Sequence, residues 1–380
     1  MVTRIKNGKI LVNGVFAETD VYFADGRISA IGGGLNYDAQ IDACGNYVTA
    51  GFVDLHCHGG GGCDFNDGTA DAVRTSALTH LSHGTTSLFP TVTSADIPST
   101  IRAIEAINEA ADGLPSLLGI HLEGPYLSPA QTGAQNGSAL KAPKKEEYLT
   151  ILDGYDIARW DYAPDVDTDF EFLEALLERG VVPSAAHTDA TCAQMEEAAR
   201  RGCRLITHMY SCTSTVRREK GFRIAGVLEA AYLTDEISAE LIADGCHLPN
   251  ELIRLAYKLK GADRLALVTD AMRAAGNDTT GECEIGGVRC VVEDGVAKLL
   301  DRSAFAGSIA TADRLARTAL SAGIPLEDTV KMMTETPASI MGLKNKGKIE
   351  LGYDADLVIF DKDVNIKTVI LKGKTVMGGK

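Results

Sequence analysis

Gly51-Phe52-Val53-Asp54-Leu55-His56-Cys57-His58-Gly59 is an apolar run that ends in two histidines, just before the glycine tract Gly59 to Gly62. In an extended strand, residues i and i+2 point to the same side, so His56 and His58 project together from one strand end. Two neutral imidazoles placed this way can hold one metal ion. Cys57 points the other way and reads as a buried structural thiol. A His-x-His pair alone is a common accident. The weight comes from the rest of the inventory: the chain has only eight histidines, and several others also end short apolar runs.

Those runs set the fold. Strand-like stretches at 87–90, 118–121, 181–187, 205–208, 238–243, 265–270 and 305–308 follow Gly59. Between them lie helical patterns at 71–82, 97–111, 171–179, 192–201, 250–260, 310–322 and 326–340. Such alternation predicts an α/β chain with a parallel sheet, and at this length a closed (β/α)8 barrel of the TIM type. No GxGxxG or Walker A string follows a strand, which argues against an open nucleotide-binding sheet. The two ends read differently. Asn13-Gly14, Asp25-Gly26 and Lys372-Gly373 are hairpin turns between apolar runs. Two β-rich ends around an α/β middle predict that the termini meet in one small β-domain made from 1–50 plus 345–380, beside a barrel of 51–344.

Composition bounds the function. A chain of 380 residues with 45% hydrophobic and 23% charged residues is an ordinary globular protein. The net charge of −15 leaves no global basic surface, which excludes nucleic acid and anionic membrane as main partners. An anionic ligand needs a local basic cluster. Arg217, Arg218, Lys220 and Arg223 are the densest one near a strand end. The nine scattered cysteines form no CxxC pair and read as reduced thiols. With no secretory h-region and no long uncharged apolar run, the expected location is cytoplasmic.

In a barrel, functional residues come from the C-terminal ends of strands. His56, His58, Glu123, His187, His208, His247 and Asp270 stand at those places. Any one of these histidines alone is as readily a satisfied core or surface side chain. Core packing does not account for the whole set at strand ends. His80 and His83 fall in a helical stretch and are read as structural, and His121 as structural or supporting. Glu123, in His121-Leu122-Glu123-Gly124-Pro125, has a carboxylate that can bridge two metals or complete one ligand set. Asp270 ends an apolar strand in Val268-Thr269-Asp270-Ala271-Met272. Beside a metal it can take a proton from water and pass it to a leaving group; its plainer reading is a cap on the following turn.

The His-x-His and His-Leu-Glu-Gly-Pro strings combine with Ala186-His187-Thr188, Thr207-His208-Met209-Tyr210, Ile242-Ala243-Asp244-Gly245-Cys246-His247, Val268-Thr269-Asp270-Ala271 and Ala306-Gly307-Ser308. Together they resemble the amidohydrolase superfamily, and within it the N-acetylglucosamine-6-phosphate deacetylases. The resemblance spans residues 4 to 376 in the family's order. It implies the (β/α)8 barrel already read from the residues, and it makes the terminal β-domain a small β-sandwich. It implies that Glu123, His187 and His208 hold one divalent metal and that His56 and His58 hold a second near Asp270. One or two ions of zinc, iron, manganese or cobalt suit these donors. Asp270 would be the catalytic acid/base, His247 would contact substrate, and Arg218 would bind a phosphate. In family dimers this arginine reaches the neighbour's site, so a homodimer is expected. The implied substrate is a small sugar phosphate, whose acetamide is hydrolysed to acetate and an amine. A divalent metal lowers the pKa of water from about 15.7 toward 7, which permits attack on the acetamide carbonyl at neutral pH.

The chain departs from the family where substrate would sit. A histidine usual in a Lys-Gly-x-His string is replaced in Thr132-Gly133-Ala134-Gln135. Gln135 can hydrogen-bond a carbonyl or hydroxyl but carries no charge. Asn-Ala-Met becomes Ser211-Cys212-Thr213, and Arg-Glu-Pro-Gly becomes Arg218-Glu219-Lys220-Gly221. Ser211, Cys212 and Gln135 are therefore taken as substrate contacts. The metal and acid–base residues are intact while the substrate residues are altered. A deacetylase for a different N-acyl amino sugar, with or without phosphate, is the first alternative. A non-catalytic barrel is the second, but such a chain is expected to show broken ligands.

Overall fold

The computed structural model describes residues 1–277 and 280–378. Eight strands pair in chain order into one sheet curled nearly closed: β1 (Phe52–Cys57), β2 (Thr85–Thr93), β3 (Ile120–Glu123), β4 (Ile157–Tyr162), β5 (Val182–Ala185), β6 (Leu205–Ile206), β7 (Ser238–Ile242) and β8 (Leu265–Val268). Every neighbouring pair is parallel. The seam is bridged just past the strand ends, where the His58 and Gly59 amides donate to the Ala271 carbonyl and the Asp270 amide donates to the His56 carbonyl. Helices join successive strands and cover the outside, so the architecture is the (β/α)8 barrel expected.

Local chemistry explains the helix boundaries. Asp96 caps Ile97–Ala111 by accepting from the Ser99 amide at 2.7 Å, and a proline lies in the first turn. Thr191 and Gln194 cap Cys192–Arg201 reciprocally. The helix expected over 326–340 is two, Leu326–Met333 and Glu335–Ile340, broken at Thr334 with φ −135° and ψ −77°. Pro337 lacks the N–H that a continuous helix would need there. No described helix is long and apolar enough to cross a membrane.

Three further features differ from expectation. β4 was not expected, because Ile-Ala-Arg-Trp-Asp-Tyr mixes charge into the run; Arg159 and Asp161 are nonetheless fully buried. The stretch 305–308 forms only single bridges, Phe305 to Lys298 and Ser308 to Ala271. Near the barrel mouth stand a three-stranded antiparallel sheet (Gly281–Ile285, Val288–Glu293, Val296–Leu299) and a hairpin (Arg217–Glu219, Phe222–Ile224).

The termini meet in an eight-stranded sheet. Tyr47–Ala50 pairs with Leu357–Phe360, joining the two ends of the chain. All three turn dipeptides close two-residue hairpins with positive φ at both positions: 52° and 78° at Asn13-Gly14, 50° and 76° at Asp25-Gly26, 49° and 72° at Lys372-Gly373. That is the type I′ geometry whose twist matches the flanking strands. This β unit has its own core of Ile5, Ile10, Val21, Phe23, Val48, Leu357, Ile359 and Ile370.

Candidate active site

The barrel strands deliver the expected residues to one mouth. His56 lies in β1 and His58 just beyond it; Glu123 ends β3. His187, His208 and Asp270 each lie two residues past β5, β6 and β8, and His247 lies in the loop after β7. His187, His208 and Asp270 have φ of 42°, 29° and 45°. Left-handed backbone at a non-glycine residue costs about 1–3 kcal/mol. Its recurrence at three strand exits turns these side chains into the mouth.

The side chains meet around Glu123. Its Oε1 lies 3.1 Å from His187 Nε2 and 3.0 Å from His208 Nε2. Its Oε2 lies 3.3 Å from His58 Nε2. His56 and His58 bring their Nε2 atoms within 3.0 Å of each other. Asp270 Oδ1 is 3.2 Å from His58 Nε2 and 3.5 Å from His56 Nε2. All are buried.

The donor chemistry shows what fits between them. His187 Nδ1 bonds the Gln131 carbonyl at 2.9 Å. A carbonyl only accepts, so Nδ1 carries the proton and a neutral His187 aims a lone pair from Nε2 at a carboxylate oxygen. His56 Nδ1 faces Glu240 Oε2 at 3.4 Å, which likewise leaves its Nε2 as an acceptor. With neutral imidazoles, lone pairs therefore face lone pairs, an arrangement that a bound metal ion relieves. Two groups, Glu123 with His187 and His208 and Glu123 with His56 and His58, have the size and donors for divalent ions. Protons fill the same demand. Burial opposes charge on His58, but Asp270 and Glu123 push it up to about 9. Burial likewise opposes charge on Glu123, yet His56, His187 and His208 hold it well below the usual carboxylate range. Asp270 is held down to about 2 against its own burial, first by His58 and then by His56.

Behind this cluster lies a buried network that the sequence reading missed. Arg159 donates from Nε to Asp161 at 3.0 Å and from Nη2 to Thr207 at 2.7 Å, and pairs with Glu240. His121 bridges Thr91 Oγ1 and Asp161, each at 2.9 Å. Glu240 thus holds His56 from behind while Arg159 neutralises Glu240. The one legible sign was a glutamate inside the apolar run Ser238–Ile242. Asp244, also missed, bonds His247 Nδ1 at 2.9 Å and the His247 amide at 2.8 Å, which leaves Nε2 for a ligand.

The cluster opens into a cavity of about 270 Å³. His58, Glu123, His187, His208 and Asp270 form its floor with Gln135, Ser211, Cys212, His247 and Phe305 around them. Gln135 is turned to Glu123, its Nε2 donating to Oε2 at 2.7 Å. Arg218 does not line the cavity; it is exposed on the hairpin. That hairpin closes through Lys220 and Gly221 with φ of 48° and 92°. Proline cannot adopt such a φ, which explains why lysine stands where proline is usual. No lysine or arginine is among the described residues lining the cavity. Cys57 is buried with its thiol 3.2 Å from His80 Nε2, and His80 also bonds the Gly59 carbonyl at 2.9 Å.

Comparison with known proteins agrees with the fold. The amidohydrolase family pattern matches residues 47–376. An N-acetylglucosamine-6-phosphate deacetylase of Lysinibacillus sphaericus is 33% identical over 94% of this chain and 93% of its own. An N-acetylgalactosamine-6-phosphate deacetylase of a Shewanella species is 32% identical over 86% of this chain and 82% of its own. A variant of the N-acetyl-D-glucosamine-6-phosphate deacetylase of Mycobacterium smegmatis, solved in complex with N-acetyl-D-glucosamine-6-phosphate, superposes with a TM-score of 0.91 at 28% identity, covering 99% of both chains. With the barrel, the histidine–carboxylate mouth and a match across most of its length, the chain belongs to the amidohydrolase family of hydrolases.

Proposed function

We propose that this chain hydrolyses the acetamide of N-acetylglucosamine 6-phosphate, releasing acetate and glucosamine 6-phosphate. The observation that carries the reading is the cluster of facing acceptors around Glu123, open to a cavity beside the ionised Asp270. His56, His58, Glu123, His187, His208 and Asp270 would hold one or two divalent ions of zinc, iron, manganese or cobalt. When bound, such an ion supplies Lewis acidity that makes water acidic near neutral pH and polarises a carbonyl oxygen. Asp270, ionised and at the cavity floor, accepts the proton of the attacking water. It then returns that proton to the amine nitrogen as the C–N bond breaks. His247, fixed by Asp244, presents Nε2 to the sugar or its acetamide. Ile285, Ala304 and Phe305 supply the apolar wall that limits water.

The phosphate needs a cation that the cavity lining lacks. We assign that part to Arg218, delivered by the hairpin of a second copy in a homodimer. A second reading is favoured by one observation: a relative of comparable identity is named for N-acetylgalactosamine 6-phosphate. Ser211, an altered residue at the cavity wall, is where a change of sugar would be accommodated. Acetate release from N-acetylglucosamine 6-phosphate, N-acetylgalactosamine 6-phosphate and free N-acetylglucosamine tests both. The first is expected to give the highest kcat/KM. Equal turnover of the free sugar would overturn the phosphate assignment.

A further inference from the structure

Two hydrogen bonds determine how the Gln135 amide is oriented. The Ser94 amide lies 3.0 Å from Gln135 Oε1. A backbone N–H only donates, so Oε1 must stand there and the NH2 group must face the other way. It meets Glu123 Oε2 at 2.7 Å. Gln135 is 8% exposed, so most of the side chain is shielded from solvent. The segment is anchored from below as well: Ser94 Oγ donates to the Glu123 carbonyl at 3.2 Å. Nearby, Gly133, at φ 55°, leaves room that a Cβ would take from Cys212 Sγ at 2.5 Å.

The carboxylate is thereby divided. Oε1 faces His187 and His208, while Oε2 takes the Gln135 donor and faces His58. Rotation about the last bond of Glu123 would exchange these partners, and the Gln135 amide, whose orientation the Ser94 amide fixes, holds Oε2 against it. We propose that Gln135 is a positioning residue that locks the Glu123 carboxylate for cation binding and does not act as a substrate contact. This rests on the proposed metal-dependent function. Groups that orient a metal ligand typically account for about 10–100-fold in metal affinity.

Metal-free protein titrated with Co(II), followed by calorimetry and by d–d absorption, tests it. Gln135→Leu keeps the volume and removes the donor; Gln135→His restores an N–H. In Gln135→Leu the Co(II) affinity is expected to fall about 10–100-fold and the d–d bands to shift. Gln135→His is expected to recover most of the affinity, and KM at saturating metal to stay near wild type in both. Metal-free melting curves run alongside show whether each variant folds, and if Gln135→Leu does not, the affinity of Gln135→His decides. Unchanged Co(II) affinity and spectrum, or a raised KM at unchanged affinity, would overturn the inference alone. A wild-type chain that binds no Co(II) would overturn the proposed function with it.

Discussion

Asp270 is buried, ionised and 3.2 Å from His58, so its role can be isolated by a substitution that keeps its shape. Asp270→Asn removes the proton acceptor but keeps an oxygen ligand. It is expected to lower kcat by about 10²–10⁴-fold while metal content, measured on the purified variant, stays at the wild-type level. Arg218→Ala is expected to raise KM for a phosphorylated substrate about tenfold, equivalent to about 1.4 kcal/mol. KM for an unphosphorylated sugar should not move, and steady-state kinetics on both substrates checks this. The histidines and acids of the mouth were legible because metal-binding side chains at the ends of apolar runs are conspicuous. Glu240, Arg159 and Asp161 were not, because their meaning depends on what faces them across the barrel. Gln135 was legible as a departure, but its hydrogen-bond partners were not, since Ser94 lies 41 residues away.

At the scale of elements, strands and helices with strong periodicity stood where expected, and Ile97–Ala111, Cys192–Arg201 and Asn250–Lys260 match end to end. Misses came where local pattern and tertiary role conflict, as in β4, whose inward charges pair inside the barrel. Gly51 shows how tightly β1 enters the barrel: a Cβ there would lie 2.0 Å from Thr86 Oγ1. Gly51→Ala is expected to destabilise by about 1–3 kcal/mol, the usual range for overpacking, and a thermal or denaturant melt reads it. Asp167 caps the helix Glu171–Glu178 by accepting from the Phe172 and Leu173 amides at 3.2 and 3.0 Å, and burial pushes it up to about 6. Its folded pKa is above its unfolded value of about 3.9, so the native state binds this proton first. Its contribution to stability is therefore largest at low pH and falls as pH rises from about 4 to about 6. Asp167→Asn should gain on wild type across that window and hold a constant difference above it. Melting temperatures measured from pH 4 to 8 check the sign.

For the whole molecule, a chain of charge −15 gathers five of its eight histidines at one barrel mouth while two β-rich ends close into a sheet of their own. The barrel was legible from the alternation of elements and the terminal sheet from its Asn-Gly, Asp-Gly and Lys-Gly turns. Neither the hairpin carrying Arg218 nor the three-stranded sheet beside the mouth could be placed, because short polar strands carry little periodicity. A ligand that binds only the folded state stabilises it by mass action, about 4 kcal/mol at a thousandfold excess over Kd. Chelation is therefore expected to lower the melting temperature, and divalent metal to restore it. The most direct measurement is acetate release from N-acetylglucosamine 6-phosphate by metal-loaded, chelated and reloaded protein. The predicted result is turnover that disappears on chelation and returns with zinc, iron, manganese or cobalt. Undiminished turnover by the chelated protein, or none by the loaded one, would contradict a cation-centred hydrolase at this mouth.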